Sequence, residues 1–222
     1  MASIDSKAMK VWISRIVDVV PCRSLAELNR FIENKPMAKV VYPRRDIIVD
    51  DHWFCVRRYH DVVTDDNIFE VYIGNQESGD EYMGYDRIDP RWLDAEGRDE
   101  ARWELTRAYM RPKYRGRNYS QFMLDLVVAL ARKNKARSVV AYPRHVAMLV
   151  TLLKNTFKTR GGNYDETLQR IYKQGKTWYG TNTPQRRLYY AQEFRPFIQD
   201  GSFIMEKKVS KTGLWDFLLE KV

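Results

Sequence analysis

Along the chain the spacing of hydrophobic positions switches between strand-like and helix-like, and the switches place the elements. Over 9–20 (MKVWISRIVDVV) apolar and polar residues roughly alternate and β-branched residues dominate, which predicts a strand ended by Pro21. Ser24 with Glu27 forms a capping box, and Leu25, Leu28, Phe31 and Ile32 recur at helical spacing, so a short amphipathic helix is expected to about Asn34. The stretch 36–66 mixes aromatic, basic and acidic residues without a period and reads as an irregular or partly helical insertion. Alternation returns at 68–74 (IFEVYIG), QESGD is a turn cluster, and EYMGYDRIDP reads as a strand paired back as a hairpin. After a polar loop over 92–99 comes a strand over 101–111 (ARWELTRAYMR), stopped by Pro112 because proline cannot donate to a ladder.

Beyond Gly116 the period becomes helical. Met123, Leu126, Val127, Leu130 and Ala131 share one face, and the helix expires in the basic run RKNKAR. A strand, SVVAY, precedes Pro143, which opens a second helix with Val146, Leu149, Val150, Leu153 and Phe157 on its buried side. Gly161 and Gly162 break it; 165–174 suggests a short polar helix, and RLYYAQEF and FIMEKKV suggest two closing strands. Hairpin, strand, helix, strand, helix and two more strands make an α/β (α+β mixed) single domain over 1–222. Its core lies at about 68–157, with the 36–66 insertion before it and a basic, aromatic segment at 158–190 after it.

Length and composition narrow the function classes. With 222 residues, 44% of them apolar, the chain can bury one substantial core, and no apolar run approaches the roughly 20 residues of a membrane span. The start, MASIDSKAMKVWIS, lacks the basic region and apolar stretch of a secretory signal. Cys22 and Cys55 are too few for a disulfide scaffold or a four-cysteine zinc site and fit a reducing cytoplasm. The net charge of +9 is concentrated: residues 107–187 carry 18 Lys and Arg against 3 Asp and Glu. Such a block attracts a polyanion, whether a nucleotide cofactor, a nucleic acid or an acidic protein surface.

The most informative junction is 109–121, YMRPKYRGRNYSQ. A strand ending in proline, a loop rich in Arg and Gly, and the first turn of a helix gather unpaired backbone N–H groups at the positive end of a helix dipole. Gly116 lets the backbone approach a phosphate, Asn118 or Ser120 suits positive or capping dihedrals, and Arg115 and Arg117 add charged donors. The alternative is a basic helix start in plain solvent.

This run, with the strand and helix after it, resembles the Gcn5-related N-acetyltransferase superfamily, which holds acyl-CoA pyrophosphate on an R/Q-x-x-G-x-G/A loop. Here Arg115 fills the first motif position, Asn118 and Ser120 stand at the two small-residue positions, and Gly116 supplies the glycine of a YRG start. The resemblance covers about 68–157 and implies the acyl-CoA N-acyltransferase fold, a central mostly antiparallel sheet with helices on both faces. It implies acetyl-CoA or another acyl-CoA as cofactor, held by Tyr109, Met110, Arg111, Arg115, Gly116, Arg117, Asn118, Tyr119 and Ser120. Strand 107–111 would bond the pantetheine arm by its free edge. The acceptor is a primary amine of open identity, and Glu104 stands where some members keep a base; a structural pairing with Arg107 or Arg102 is the alternative. Where many members carry a proton-donating tyrosine, Leu152 stands, and His145 holds a position where the family often has Asn. Tyr142, Tyr164 or Tyr179 could take over that role.

Two shorter stretches, GYDRIDP at 84–90 and WELTR at 103–107, are similar to those of acyl-homoserine-lactone synthases, which implies substrate contacts from Arg87, Trp103 and Arg107 and S-adenosylmethionine as the amine. A non-catalytic basic module on the same fold, binding nucleic acid or an acidic protein, is the reading from another class. His52, Cys55 and His60 match no familiar metal spacing and read as surface histidines and a buried thiol. The aromatics and cations of 158–190 suit a surface that stacks on bases, but rings closing the core beneath solvated cations is the simpler reading.

Overall fold

In the computed structural model the backbone is described for 16–21, 38–49, 52–61, 66–75, 81–94, 97–99 and, save Gly162, Asn182, Asp200 and Ser202, for 101–209; side chains are described at 68–74, 83–92 and, except Phe122, over that last stretch. The expected helix near 25–34 and residues 9–15 of the first expected strand lie outside these residues.

A mixed α/β architecture forms around an open sheet. Strands β1 (Ile16–Pro21), β2 (Ala38–Val49), β3 (His52–Asp61), β4 (Asp66–Asn75), β5 (Glu81–Asp89), β8 (Arg102–Met110), β9 (Ser138–Ala141), β10 (Lys158–Thr159) and β11 (Met205–Lys208) pair in the order β1-β2-β3-β4-β5-β8-β9-β11-β10. Neighbours are antiparallel except β8 and β9. The helices are α1 (Tyr119–Lys133), α2 (Val146–Lys154), α3 (Asp165–Tyr179), α4 (Pro184–Glu193) and α5 (Arg195–Gln199).

The hairpin of β4 and β5 forms where alternation predicts it, with Phe69 opposite Ile88 and Tyr72 opposite Tyr85. The face expected of α1 is buried: Met123, Leu126, Val127 and Ala131 are fully enclosed and Leu130 nearly so. Leu124, Val128 and Ala129 are buried as well, because α1 lies against β4, β5, β8 and β9 on one side and α2 on the other. A helix apolar nearly all round is what such a sandwiched position requires.

Four expectations change. The 36–66 stretch is not an irregular insertion: it supplies β2 and β3, two long strands whose charged residues hide the alternation. The 92–99 loop closes a short hairpin of β6 (Trp92–Asp94) and β7 (Gly97–Asp99). The 187–194 strand is α4, begun by Thr183, whose hydroxyl accepts from the Arg186 N–H at 3.1 Å, with Pro184 at its first turn. A threonine cap and a proline at the first helical position outweigh the β-prone pair Tyr189-Tyr190. The helix expected at 165–174 continues to Tyr179.

Candidate active site

Everything at the site follows from β8. On one side it is bonded along its whole length to β5, from Glu104 opposite Asp89 to Met110 opposite Gly84, and the Arg111 N–H continues the ladder to the Met83 carbonyl at 2.9 Å. On the other side it runs parallel with β9 only from Arg102 beside Ser138 to Leu105 beside Ala141. Beyond that point the outer backbone groups of 106–110 have no backbone partner among the described residues, and Thr106 to Tyr109 are exposed.

Two local causes open this gap. The register slips between Arg87 and Ile88, leaving Thr106 as an extra residue on β8, and its hydroxyl reaches the Arg87 carbonyl at 3.4 Å. An extra residue bends its strand and increases the twist. On the β9 side Pro143 has no N–H to offer, so the ladder stops as the chain turns toward α2.

The gap leads directly into the loop before α1. Pro112–Tyr114 form a single 3₁₀ turn in which the Tyr114 N–H donates to the Arg111 carbonyl. Gly116 at φ 80° and Asn118 at φ 64° then take left-handed conformations. No side chain caps α1, and the N–H groups of Gly116 and Ser120 have no acceptor among the described residues. The Arg115 Nε donates to the Met110 carbonyl at 2.8 Å, tying the loop to the strand end. Lys113 and Arg117 lie over the Tyr114 ring at 4.9 and 6.0 Å, while Tyr114, Tyr119 and Met110 bury their side chains. From α2, the Lys154 ammonium donates to the Asn118 Oδ1 at 3.2 Å, a contact without a signal in the sequence.

Glu104 is half-buried on β8 next to the point where β8 and β9 part. It forms none of the expected pairs: Arg102 bonds Glu206 at 3.3 Å, Arg107 reaches the Tyr85 hydroxyl at 3.5 Å, and no hydrogen bond or ion pair to Glu104 exists among the described residues. Burial first, then the charge of Asp89 opposite it, pushes its carboxyl above the ordinary glutamate value. Both favour the protonated form of an acid.

Strand alternation groups Tyr85, Arg87 and Asp89 on one face of β5, and register sets Glu104 and Arg107 opposite two of them. Arg87 is engaged by Asp89 at 3.2 Å. Tyr72, Tyr85 and Tyr109 line up across β4, β5 and β8, ring centroids 5.8 and 6.1 Å apart, ending at the half-exposed Tyr109. Trp103 does not join them: it is a core residue, 4% exposed and stacked on Phe69 at 5.2 Å, so the expectation of a substrate contact from its side chain is replaced by a packing role.

Among the candidate tyrosines, Tyr142 follows β9 at the mouth of the gap, and its hydroxyl accepts from the Trp92 indole N–H at 2.9 Å. Tyr164 packs with Phe197 and Phe203, and Tyr179 ends α3 against Trp178 and Tyr189. Leu152 is core. Among the described residues no cluster of three or more His, Cys, Asp or Glu could hold a metal; the side chains of His52, Cys55 and His60 lie outside them. A groove of about 730 Å³ opens between Phe157 and α3, and none of its lining residues belongs to β8 or the 111–118 loop. Among the described residues no helix is long and apolar enough to cross a membrane.

No protein-family model and no curated protein sequence matches the chain. Solved structures do match, and those matched with highest certainty are acyl-CoA N-acetyltransferases of the Gcn5-related family. One is the PaiA N-acetyltransferase of Thermoplasma acidophilum in complex with coenzyme A, 16% identical, covering 66% of this chain and 63% of that one at a TM-score of 0.39. Another is a GNAT-family acetyltransferase of Staphylococcus aureus Mu50, 9% identical, covering 64% and 68% at 0.40. A third is the N-acetylglutamate synthase of Neisseria gonorrhoeae complexed with coenzyme A and N-acetylglutamate, 10% identical, covering 64% of this chain and 26% of that one at 0.38. The chain thus spans under two thirds of the first and about a quarter of the last. At such scores the likeness carries nothing about this chain's chemistry.

Proposed function

We propose that the chain is an N-acyltransferase that moves an acyl group from acyl-CoA, acetyl-CoA foremost, to a primary amine by direct attack on the thioester. One observation carries the reading: the outer edge of β8 at 106–110, without a backbone partner among the described residues, runs straight into a loop whose Gly116 and Asn118 are left-handed and whose helix start no described side chain caps. A pantetheine arm carries amides that can pair with such an edge, and a diphosphate needs N–H donors without a Cβ in the way. Arg111, Arg115, Arg117 and the amides of Gly116 to Ser120 would hold the diphosphate; Tyr109 and Met110 would offer backbone to the arm.

The chemistry needs a base, because a protonated amine has no lone pair with which to attack. Glu104, half-buried beside the gap and bonded to no cation among the described residues, is suited to take that proton. Its raised pKa makes its carboxylate a better acceptor than an exposed glutamate. The amine nitrogen then bonds the thioester carbon, the C–S bond breaks, and the thiolate takes up a proton. Tyr142 is the hydroxyl best placed to supply it, since its oxygen already accepts from Trp92 and its own proton is left to donate. Arg87 and Arg107, engaged by Asp89 and Tyr85, would shape the acceptor side rather than grip the donor.

Isothermal titration of the folded chain with acetyl-CoA tests the reading. Saturable heat in the micromolar range is expected; no heat at high micromolar ligand retires it. Binding without turnover against a panel of primary amines would leave a non-catalytic acyl-CoA module instead.

A further inference from the structure

In the basic, aromatic segment 158–190 the rings do not all close the core. Tyr190 is buried, but Trp178 near the end of α3 is 61% exposed, and Tyr179 and Tyr189 are half-buried. The packing of α4 on α3 places them. Gly175 carries no side chain, and an added Cβ there would lie 2.4 Å from the Tyr190 ring, so Tyr190 seats α4 directly on α3. Its hydroxyl donates to the Tyr172 carbonyl at 2.7 Å and ties the two helices together. Tyr189, next along α4, then meets Trp178 and Tyr179 with ring centroids 5.9 and 5.4 Å away, and Trp178 and Tyr179 are 6.4 Å apart. Three rings thus make one platform, with the indole turned to solvent.

A groove leads to it. The Tyr189 hydroxyl donates to the Gln174 Oε1 at 3.1 Å, and Gln174 also lines the groove of about 730 Å³ between Phe157 and α3. Arg170, Lys173, Gln174 and Trp178 share one side of α3, and Arg170 to Trp178 spans about 12 Å along the axis. Across the groove stands Lys158 of β10, the end strand of the sheet. Lys158, Arg170 and Lys173 are exposed, and no ion pair engages them among the described residues. Two acids line the groove at the start of α3: Asp165 accepts from the Thr159 N–H at 2.6 Å, and Glu166 is exposed. Between Glu166 and Glu193 the chain has five Lys and Arg and no Asp or Glu, so the charge along the groove toward the platform has one sign.

We propose that this groove and platform bind a single-stranded nucleic acid, its phosphates along Lys158, Arg170 and Lys173 and its bases stacked on Trp178 and Tyr189. A row of solvated cations attracts any polyanion, and the exposed indole does the selecting, because an unpaired base offers it a flat face. An acidic peptide brings the charge without bases to stack, and a duplex keeps its bases stacked on one another. No residue of the groove belongs to β8 or the 111–118 loop, so this surface and the acyl-CoA site stand or fall separately.

Fluorescence titration of the full chain with an oligothymidylate of about ten nucleotides, a length within the usual range of such sites, tests it. Saturable binding with quenching of tryptophan emission is expected. Affinity should fall with salt at a log–log slope of about −2, the value for three phosphate contacts to a single strand. A duplex of the same length and polyglutamate should each bind about tenfold more weakly or worse. Trp178→Ala should weaken the oligothymidylate about tenfold and remove most of the quenching, whereas Trp178→Phe, which keeps a ring, should retain most of the affinity. Arg170→Gln and Lys173→Gln should each flatten the salt slope by about 0.7. All three positions are exposed, and circular dichroism checks that each variant is folded. No saturable binding at about 50 mM salt overturns the proposal. So does polyglutamate or the duplex binding as tightly as the oligothymidylate, or a folded Trp178→Ala that binds as the native chain does.

Discussion

The two halves of β8 share one strand and one antiparallel neighbour, yet they meet different environments. Residues 102–105 are held between β5 and β9, with Trp103 and Leu105 in the core. Residues 106–110 keep β5 but lose β9, and four of the five are exposed. What separates them is one extra residue, Thr106, and one proline, Pro143, that cannot extend the facing ladder. A free strand edge therefore needs no special residues of its own; it needs a pairing that stops early. Glu104 is the last residue but one before the strands part, which is why it is half-buried and not sealed.

Substitutions can break this contrast in order of severity. Gly84 faces Met110 across the ladder, and a Cβ there would lie 2.4 Å from the Tyr109 carbonyl oxygen, a backbone atom that cannot swing away. Gly84→Ala should cost about 3 kcal/mol by forcing the free half of β8 outward, seen as a fall of roughly 6–12 °C in Tm. Glu104→Gln should lower kcat about 100-fold or more while leaving acetyl-CoA affinity within about twofold, since it removes the proton acceptor and not the binding edge; unchanged kcat would make Glu104 structural. At Gly116, φ 80° admits a side chain only under strain, so Gly116→Val should cost about 1–2 kcal/mol and weaken acetyl-CoA binding about tenfold.

Two finer tests turn on protons. Because the Glu104 pKa is raised, activity should fall on the acid side at a midpoint above that of an ordinary glutamate, and Asp89→Asn should move that limb to lower pH by removing one of its causes. Asp86 on β5 is enclosed, its Oδ2 lacks a partner among the described residues, and burial pushes its carboxyl well above the usual range. A carboxyl raised in the folded state stabilises fully below its unfolded pKa and loses that contribution as pH rises through the folded one. Chemical denaturation should therefore show stability falling above about pH 4, by at most about 1.4 kcal/mol per pH unit for this one proton, and Asp86→Asn should flatten the slope.

Much of the scaffold was readable because local signals agreed with tertiary placement: the alternation of 68–74, the stop at Pro112, the helical period after Gly116, and the left-handed conformations at Gly116 and Asn118. Strands β2 and β3 were hidden because Arg44, Arg45, Arg57 and Arg58 interrupt the alternation, and Pro43 reads as a breaker although it lies within β2. Helix α4 is readable in principle from Thr183-Pro184, but the aromatic pair Tyr189-Tyr190 favours a strand over 187–194. The gap itself left no local mark, since it depends on which residue faces which across the sheet. The same is true of the solitary state of Glu104, the burial of Trp103, and the approach of Lys154 to Asn118.

Hydrogen exchange of the backbone amides, with and without saturating coenzyme A, tests the central claim most directly. Slower exchange is predicted at 106–110 and 116–120, with 102–105 unchanged because those amides lie in a stretch bonded on both sides. Saturable binding that leaves 106–110 and 116–120 unprotected, or protects only residues elsewhere, would contradict it.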